Sequence, residues 1–299
     1  MKLLKNPRLL LILSMIVFGT IGLFVKYIPL SSGEIALYRA ILAIILLGLF
    51  LLITKQKINF KEIKKDLLLL LISGIAMGIN WILLFEAYNY TSVSVATLSY
   101  YFAPILVLIV SPVIFKEKLT VKQIICFVGS TIGLILLTGI TGFDAGDNHF
   151  KGIILGVLAA IFYATVIILN KFIKGVSGIN RTFLQFVSSI VVLLPYVLLT
   201  TGINVLKLEG ISWIYLIVIG FIHTGICYCM YFSSVKELRG QEVAILSYID
   251  PLVAVIVSLV FLSESMNVYQ IIGGILILGF SLFNEIVSSK ERGISNEKN

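Results

Sequence analysis

An aspartate stands next to a proline inside an apolar stretch. Asp250-Pro251 begins roughly nine residues into the run 242–263. A carboxylate near the bilayer centre costs about 2.5–3.5 kcal/mol on insertion scales, so Asp250 should face a cavity or a partner, and such groups are functional candidates by default. Proline lacks a backbone N–H and its ring blocks the bond to the carbonyl four residues back. Asp250 is therefore expected beside a freed carbonyl that helps hold an ion, a proton-bearing group or an amine. The alternative is a protonated acid bonded to a neighbouring helix. His223 lies at similar depth, roughly eleven residues into the run 212–235, with Cys227 and Tyr231 following at four-residue steps. Imidazole exchanges protons near neutrality, so Asp250 is its natural partner if the two helices touch. A neutral histidine bonded between helices is the equal alternative. A metal site on His223 and Cys227 lacks further His or Cys ligands and is not expected.

Two further groups carry polar chemistry. Asn80, Trp81, Tyr100, Tyr101, Tyr163 and Tyr248 sit within apolar runs. Tyrosine joins an apolar face to a hydroxyl, which suits partly apolar solutes, although core packing explains any single aromatic as well. Glu34, Arg39 and Glu86 fall near one end of their runs, where Arg39 is expected to pair with Glu86 or Glu34 in a structural or gating role. Lys26 is expected to snorkel to the interface.

These residues need elements to hold them, and composition says which. The 299 residues are 59% hydrophobic and 13% charged, with mean hydropathy +1.07. A soluble domain carries roughly a quarter charged residues. A spanning helix needs about 20 apolar residues, and hydropathy places ten spans at 8–29, 32–54, 66–88, 92–115, 121–140, 152–173, 181–202, 212–235, 242–263 and 267–288. The formal charge of +8 forms no basic face and argues no nucleic-acid partner. The first run is too long for a signal peptide and reads as the first span. Cys126, Cys227 and Cys229 all lie in apolar runs and make no disulfide framework.

Basic residues orient the bundle. With the N-terminus inside, 19 of the 23 Lys and Arg fall on the inner side, leaving only Lys26, Arg39, Lys151 and Lys207 for the outer half. The positive-inside rule then makes both termini cytoplasmic in a multi-pass protein of the cell membrane.

The chain also repeats itself. Pro104 and Pro251 are 147 residues apart, and the same offset relates Glu117 to Glu264, Gln123 to Gln270 and Ile124-Ile125 to Ile271-Ile272. Ala96-Thr97-Leu98-Ser99-Tyr100 matches Ala244-Ile245-Leu246-Ser247-Tyr248 with a shift of one. Five spans per unit is an odd number, so the second copy enters the membrane inverted. Lys116 and Lys118 accordingly become Ser263 and Ser265. Two inverted halves able to rock about a central site suit alternating access.

The segments Ala96–Pro104–Glu117–Gln123–Gly129–Gly133 and Ala244–Pro251–Glu264–Gln270–Gly274, with Phe18-Gly19, Lys26 and Tyr38-Arg39, resemble the drug/metabolite transporter superfamily, in its ten-helix EamA-type branch. The resemblance implies an all-α membrane protein with ten transmembrane helices, as two inverted five-helix repeats around a central cavity. It places residues 1–145 in the first repeat, 146–290 in the second and 291–299 in a polar tail. It implies a cavity lined by spans one, three, four, six, eight and nine, with five and ten peripheral. It implies transport of small metabolites, such as amino acids or related amphipathic solutes, often outward. Asp250 is less typical, because Ala103 stands at its matched position. Asp250, His223, Tyr100, Tyr101, Tyr248, Asn80, Trp81 and Tyr163 are the expected substrate contacts, and Pro104, Pro251, Arg39, Glu86 and Glu34 the expected gating or structural residues. Proton coupling or exchange is the expected drive, with no cofactor, and the lipid bilayer and a small solute are the partners. A membrane-embedded enzyme or a channel is the competing class; neither HExxH nor a phosphate loop is present.

Overall fold

The computed structural model describes residues 6–55, 60–116, 119–138, 148–176, 178–235, 237–238 and 240–296. Glu117, Lys118, the expected repeat boundary at 145 and the last residues of the tail lie outside the described residues. No strand occurs among the described residues. The helices are α1 (Pro7–Gly19), α2 (Ile21–Lys26), α3 (Ser32–Ile53), α4 (Phe60–Tyr90), α5 (Val93–Tyr100), α6 (Ala103–Phe115), α7 (Val121–Thr138), α8 (Asn148–Phe172) and α9 (Gly178–Thr200). They continue with α10 (Ile211–Ile217), a nine-residue π-helical stretch (Val218–Ile226), α11 (Cys227–Val235), α12 (Gly240–Ser247), α13 (Ile249–Phe261) and α14 (Val268–Asn296).

Among the described residues, eight helical segments are long and apolar enough to cross a membrane: Pro7–Lys26, Ser32–Ile53, Ile63–Tyr90, Val93–Phe115, Asn148–Phe172, Gly178–Thr200, Ile211–Val235 and Val268–Val287. Val121–Leu137 and Ile245–Phe261, expected as full spans, are shorter apolar helices. Exposed apolar side chains such as Val113, Leu199, Ile256 and Phe261 ring the outside. In water such a surface would mark aggregation; against acyl chains it is the natural coat of a multi-pass membrane protein.

Helix starts follow their capping residues. Ser31 caps α3, accepting from the Glu34 amide at 3.2 Å while the Glu34 carboxylate accepts from the Ser31 amide at 3.4 Å. That reciprocal pair satisfies two donors the helix cannot. Ser92 caps α5 through the Val95 amide at 3.2 Å.

Positions 147 residues apart share local structure. Thr120 and Gln123 form a reciprocal cap at 2.9 and 3.4 Å, and Asn267 and Gln270 form its counterpart at 2.9 Å both ways. Lys116 and Ser263 both take left-handed backbone, with φ of 55° and 52°. Helix breaks also match: α5 gives way to α6 at Tyr101-Phe102, and α12 to α13 at Tyr248.

Those breaks correct the expectation for the prolines. Pro104 and Pro251 do not kink a continuous ladder. Each stands in the first turn of a new helix, where its missing N–H had no intrahelical partner to lose. The carbonyl four residues before Pro251, that of Ser247, belongs to the end of α12 and not to the middle of a continuous ladder.

Glycines set the closest helix approaches. A Cβ on Gly273 would meet the Gly133 carbonyl oxygen at 2.5 Å, and one on Gly133 would meet the Gly273 carbonyl oxygen at 2.8 Å, so α7 and α14 touch backbone to backbone. Small residues allow this contact, which in lipid is favoured by dispersion rather than by burial from water. Gly273→Leu should lower stability by about 1–3 kcal/mol through overpacking. A reversible denaturant titration of the purified protein checks this, and an unchanged midpoint would show that α7 and α14 separate freely.

Candidate functional site

Three interrupted helical segments surround a cavity of about 570 Å³. Its lining includes Arg39, Asn80, Trp81, Tyr100, Tyr101, Pro104, Tyr163, Tyr248 and Asp250. It extends to Asn170 near the end of α8, to Arg181 and Gln185 in the first half of α9, and to Glu285 of α14. The third interruption, at Thr20 between α1 and α2, places Gly19 and Gly22 on the wall. Glycine is required at 19, since a Cβ there would lie 2.5 Å from the Asp250 carbonyl oxygen and 2.7 Å from the Val253 Cβ.

Asp250 sits in the first turn of α13, where the positive helix end favours a carboxylate. The Tyr101 hydroxyl donates to its Oδ2 at 2.6 Å. Its other oxygen has no hydrogen-bond donor among the described residues, so one acceptor faces the cavity. The tyrosines pack as a group. Tyr100 stacks on Tyr163 with ring centroids 5.0 Å apart, meets Tyr101 edge-on at 5.7 Å, and Tyr101 lies 6.4 Å from Tyr248. Aromatic walls of this kind offer apolar area and cation-attracting faces together.

Arg39 supplies the opposite charge. Its Nε donates to Thr224 Oγ1 at 2.7 Å, and its guanidinium carbon lies 4.4 Å over the Trp81 ring and 5.7 Å from the Phe85 ring. Its terminal N–H groups have no acceptor among the described residues, although the residue is only 6% exposed. The expected ion pair with Glu34 or Glu86 is absent. Glu34 is occupied by Ser31 and by the Asn204 amide at 2.6 Å, whereas Glu86 accepts from Ser32 Oγ at 2.6 Å and from Asn89 Nδ2 at 3.3 Å. Local capping and interhelical hydrogen bonds therefore take both carboxylates away from the cavity. Arg8 and Glu242 form the one ion pair among the described residues. Lys26, exposed at the end of α2, donates to the Tyr88 carbonyl.

His223 does not touch Asp250 or the cavity. Its Nε2 meets Thr20 Oγ1 at 2.8 Å, its Nδ1 faces the Val218 carbonyl at 3.3 Å, and Phe24 packs edge-on against the ring at 4.8 Å. The reason is the π-helical stretch, whose wider turns shift register. Four-residue steps therefore fail to keep His223 on the face of Tyr231, which does line the cavity. Asn80 reaches the wall but spends its Nδ2 on the Ala159 carbonyl at 2.6 Å, tying α4 to α8.

Sequence reasoning missed several lining residues. Tyr88 and Tyr228 had no distinguishing pattern. Arg181 was read only as a topology marker, yet with Gln185 one turn later it makes a polar step in an apolar run. The Arg181 guanidinium donates to the Asn170 carbonyl at 3.1 Å, and Gln185 Nε2 donates to Asn170 Oδ1 at 2.8 Å. The described residues hold no cluster of three or more His, Cys, Asp or Glu.

The model of the EamA-like transporter family matches twice, over residues 7–139 and 150–284. The chain belongs to the EamA-like transporter family. It is 33% identical over 268 residues to "Uncharacterized transporter YxxF" of Bacillus subtilis (strain 168), covering 89% of this chain and 85% of that one. It is 23% identical to an "Uncharacterized transporter" of Clostridium kluyveri, covering 99% and 98% of the two chains. A solved structure described as "Crystal structure of protein" superposes with a TM-score of 0.62 at 16% identity, over 94% of this chain and 98% of that one. That likeness concerns the fold alone. Membership makes the EamA-type chain a membrane transporter of small molecules and not an enzyme.

The Asp250–Tyr101 bond is open to test by stability. Asp250→Asn keeps an acceptor for the hydroxyl, whereas Asp250→Leu leaves the hydroxyl without a partner at a cost of about 1–3 kcal/mol. Denaturant titration should rank Asp250→Leu below Asp250→Asn. Equal midpoints would show that the hydroxyl finds another acceptor.

Proposed function

We propose that this EamA-type transporter moves small amphipathic zwitterions, amino acids above all, by alternating access between the two faces of the cell membrane. One observation carries the reading. A single cavity offers an uncommitted guanidinium edge on Arg39, an uncommitted carboxylate oxygen on Asp250, and aromatic walls from Trp81, Tyr100, Tyr101 and Tyr163. A carboxylate of the solute would take Arg39, an ammonium would take Asp250, and an apolar side chain would take the rings.

Matched local structure supports the transport cycle. In this reading Val121–Leu137 and Ile245–Phe261 also span, giving ten spans in two inverted five-helix units, and the matched breaks at Tyr101 and Tyr248 let each unit bend at the same depth. The 19-to-4 division of Lys and Arg supports a reading with both termini in the cytoplasm. Exchange of one solute for another, or co-movement of a proton with Asp250 as its carrier, would drive the cycle, with export as the net direction.

Tritiated L-phenylalanine is a suitable probe, being a zwitterion with an aromatic body. Saturable binding to purified protein and saturable counterflow in proteoliposomes are expected. Arg39→Gln and Asp250→Asn should each weaken binding at least about tenfold, equivalent to roughly 1.4 kcal/mol. Absence of binding and counterflow across all proteinogenic amino acids would overturn the substrate reading. Binding untouched by both substitutions would overturn the site.

A further inference from the structure

The π-helical stretch is the least expected element of the fold, and neither of its buried polar side chains is needed to contact solute. Its nine residues, Val218–Ile226, carry His223 and Thr224 side by side. They point to different neighbours. Thr224 Oγ1 donates to the Ile219 carbonyl at 2.8 Å and accepts from Arg39 Nε at 2.7 Å. His223 Nδ1 faces the Val218 carbonyl at 3.3 Å and Nε2 faces Thr20 Oγ1 at 2.8 Å. Both side chains thus reach the carbonyl five residues back, which the wide π turn leaves accessible.

These contacts make one continuous path between the charged ends of the cavity. Arg39 is held by Thr224; the adjacent His223 holds Thr20; Thr20 is the break between α1 and α2; and the preceding Gly19 lies against the Asp250 carbonyl. The same stretch presses on α3 through two glycines. A Cβ on Gly220 would lie 2.4 Å from the Leu42 Cβ, and one on Gly225 would lie 3.0 Å from Leu46 Cδ2. Leu42 and Leu46 follow Arg39 along α3, so a shift of Arg39 moves the surface on which the stretch rests.

The Thr20 hydroxyl has one hydrogen and two acceptors. Oγ1 stands 2.8 Å from the Val17 carbonyl and 2.8 Å from His223 Nε2. With the ring hydrogen on Nδ1, bonded to the Val218 carbonyl, Nε2 is an acceptor and takes the Thr20 hydrogen. If the ring withdraws, the hydroxyl turns to Val17 O, which already accepts the Thr20 backbone N–H at 3.1 Å. Thr20 therefore has two satisfied arrangements, which is what a two-position hinge in a water-poor interior requires.

We propose that His223 is a positioning residue for the transport cycle: through Thr20 it sets the break in the first span, and the π-helical stretch transmits the state of Arg39 to that break. The proposal rests on the alternating-access reading above, and it assigns His223 neither a solute contact nor a proton.

The test uses the full-length chain with Thr20→Val, His223→Ala, His223→Gln and the double variant T20V/H223A. Affinity for tritiated L-phenylalanine should stay within about threefold of the parent while maximal counterflow falls at least about tenfold, the mark of a residue acting in the cycle rather than in binding. The double variant should be no slower than the slower single, because the two side chains form one contact. His223→Gln, which keeps an acceptor for Thr20, should recover much of the rate. Hydrogen–deuterium exchange without solute should rise in His223→Ala over residues 20–27 and 218–226 together. Affinity and rate falling in equal proportion would overturn the proposal, as would unchanged rate and exchange. If the parent neither binds nor moves L-phenylalanine, the substrate reading fails and exchange in the two segments decides the hinge alone.

Discussion

A bilayer interior supplies no water to a broken helix, so every interruption must be repaired by the protein itself. The breaks at Thr20, Tyr101-Phe102 and Tyr248 obey this constraint, and much else follows from how they do so. Thr20 closes onto Val17 and His223. Phe102 and Tyr248 each donate through three-residue turns, to Ser99 and Ile245. The helices that resume after the second and third breaks begin with prolines in their first turns, where one donor fewer needs satisfying. The cavity exists where these repairs meet.

That arrangement also explains where charge is tolerated. Asp250 is stabilised by the start of α13 and by a tyrosine hydroxyl, and Arg39 by a threonine hydroxyl and the face of an indole. Neither is neutralised by an ion pair, and each keeps polar atoms toward the same space. Ala103, at the position matched to Asp250, has no such demand. Positions 147 residues apart thus share backbone features such as the left-handed Lys116 and Ser263, while the side chains at 103 and 250 differ in charge.

Sequence made some of this visible and hid the rest for physical reasons. Apolar runs, caps and the 147-residue offset are local or periodic, so eight of the ten expected spans and the matched helix starts at Gln123 and Gln270 were open to such a reading, and Tyr100, Tyr101, Tyr163 and Trp81 stood out as candidates beside the core-packing alternative. The partners of Arg39, Glu34 and Glu86 could not, because hydrogen bonds to Thr224, Asn204 and Ser32 depend on tertiary approach. His223 takes the alternative of an interhelical bond, to Thr20, and does not reach Asp250, because four-residue steps assume α geometry and nothing in residues 218–226 announces wider turns. The prolines were expected inside continuous spans because composition does not tell an interior turn from a first one.

Packing between the two matched units has a further consequence, during synthesis. The Val93 amide at the start of α5 is bonded by Glu264, 171 residues later; Asn80 bonds Ala159; and Gly19 lies bare until Asp250 arrives. At about 5–20 residues per second, Val93 waits roughly 10–30 s after leaving the ribosome for its partner. The first half of the chain must therefore enter the membrane with polar groups and glycine faces uncovered, tended by lipid, by the insertion machinery or by provisional neighbours. The second half completes surfaces the first has been exposing, and a chain arrested between the halves would present those surfaces to quality control.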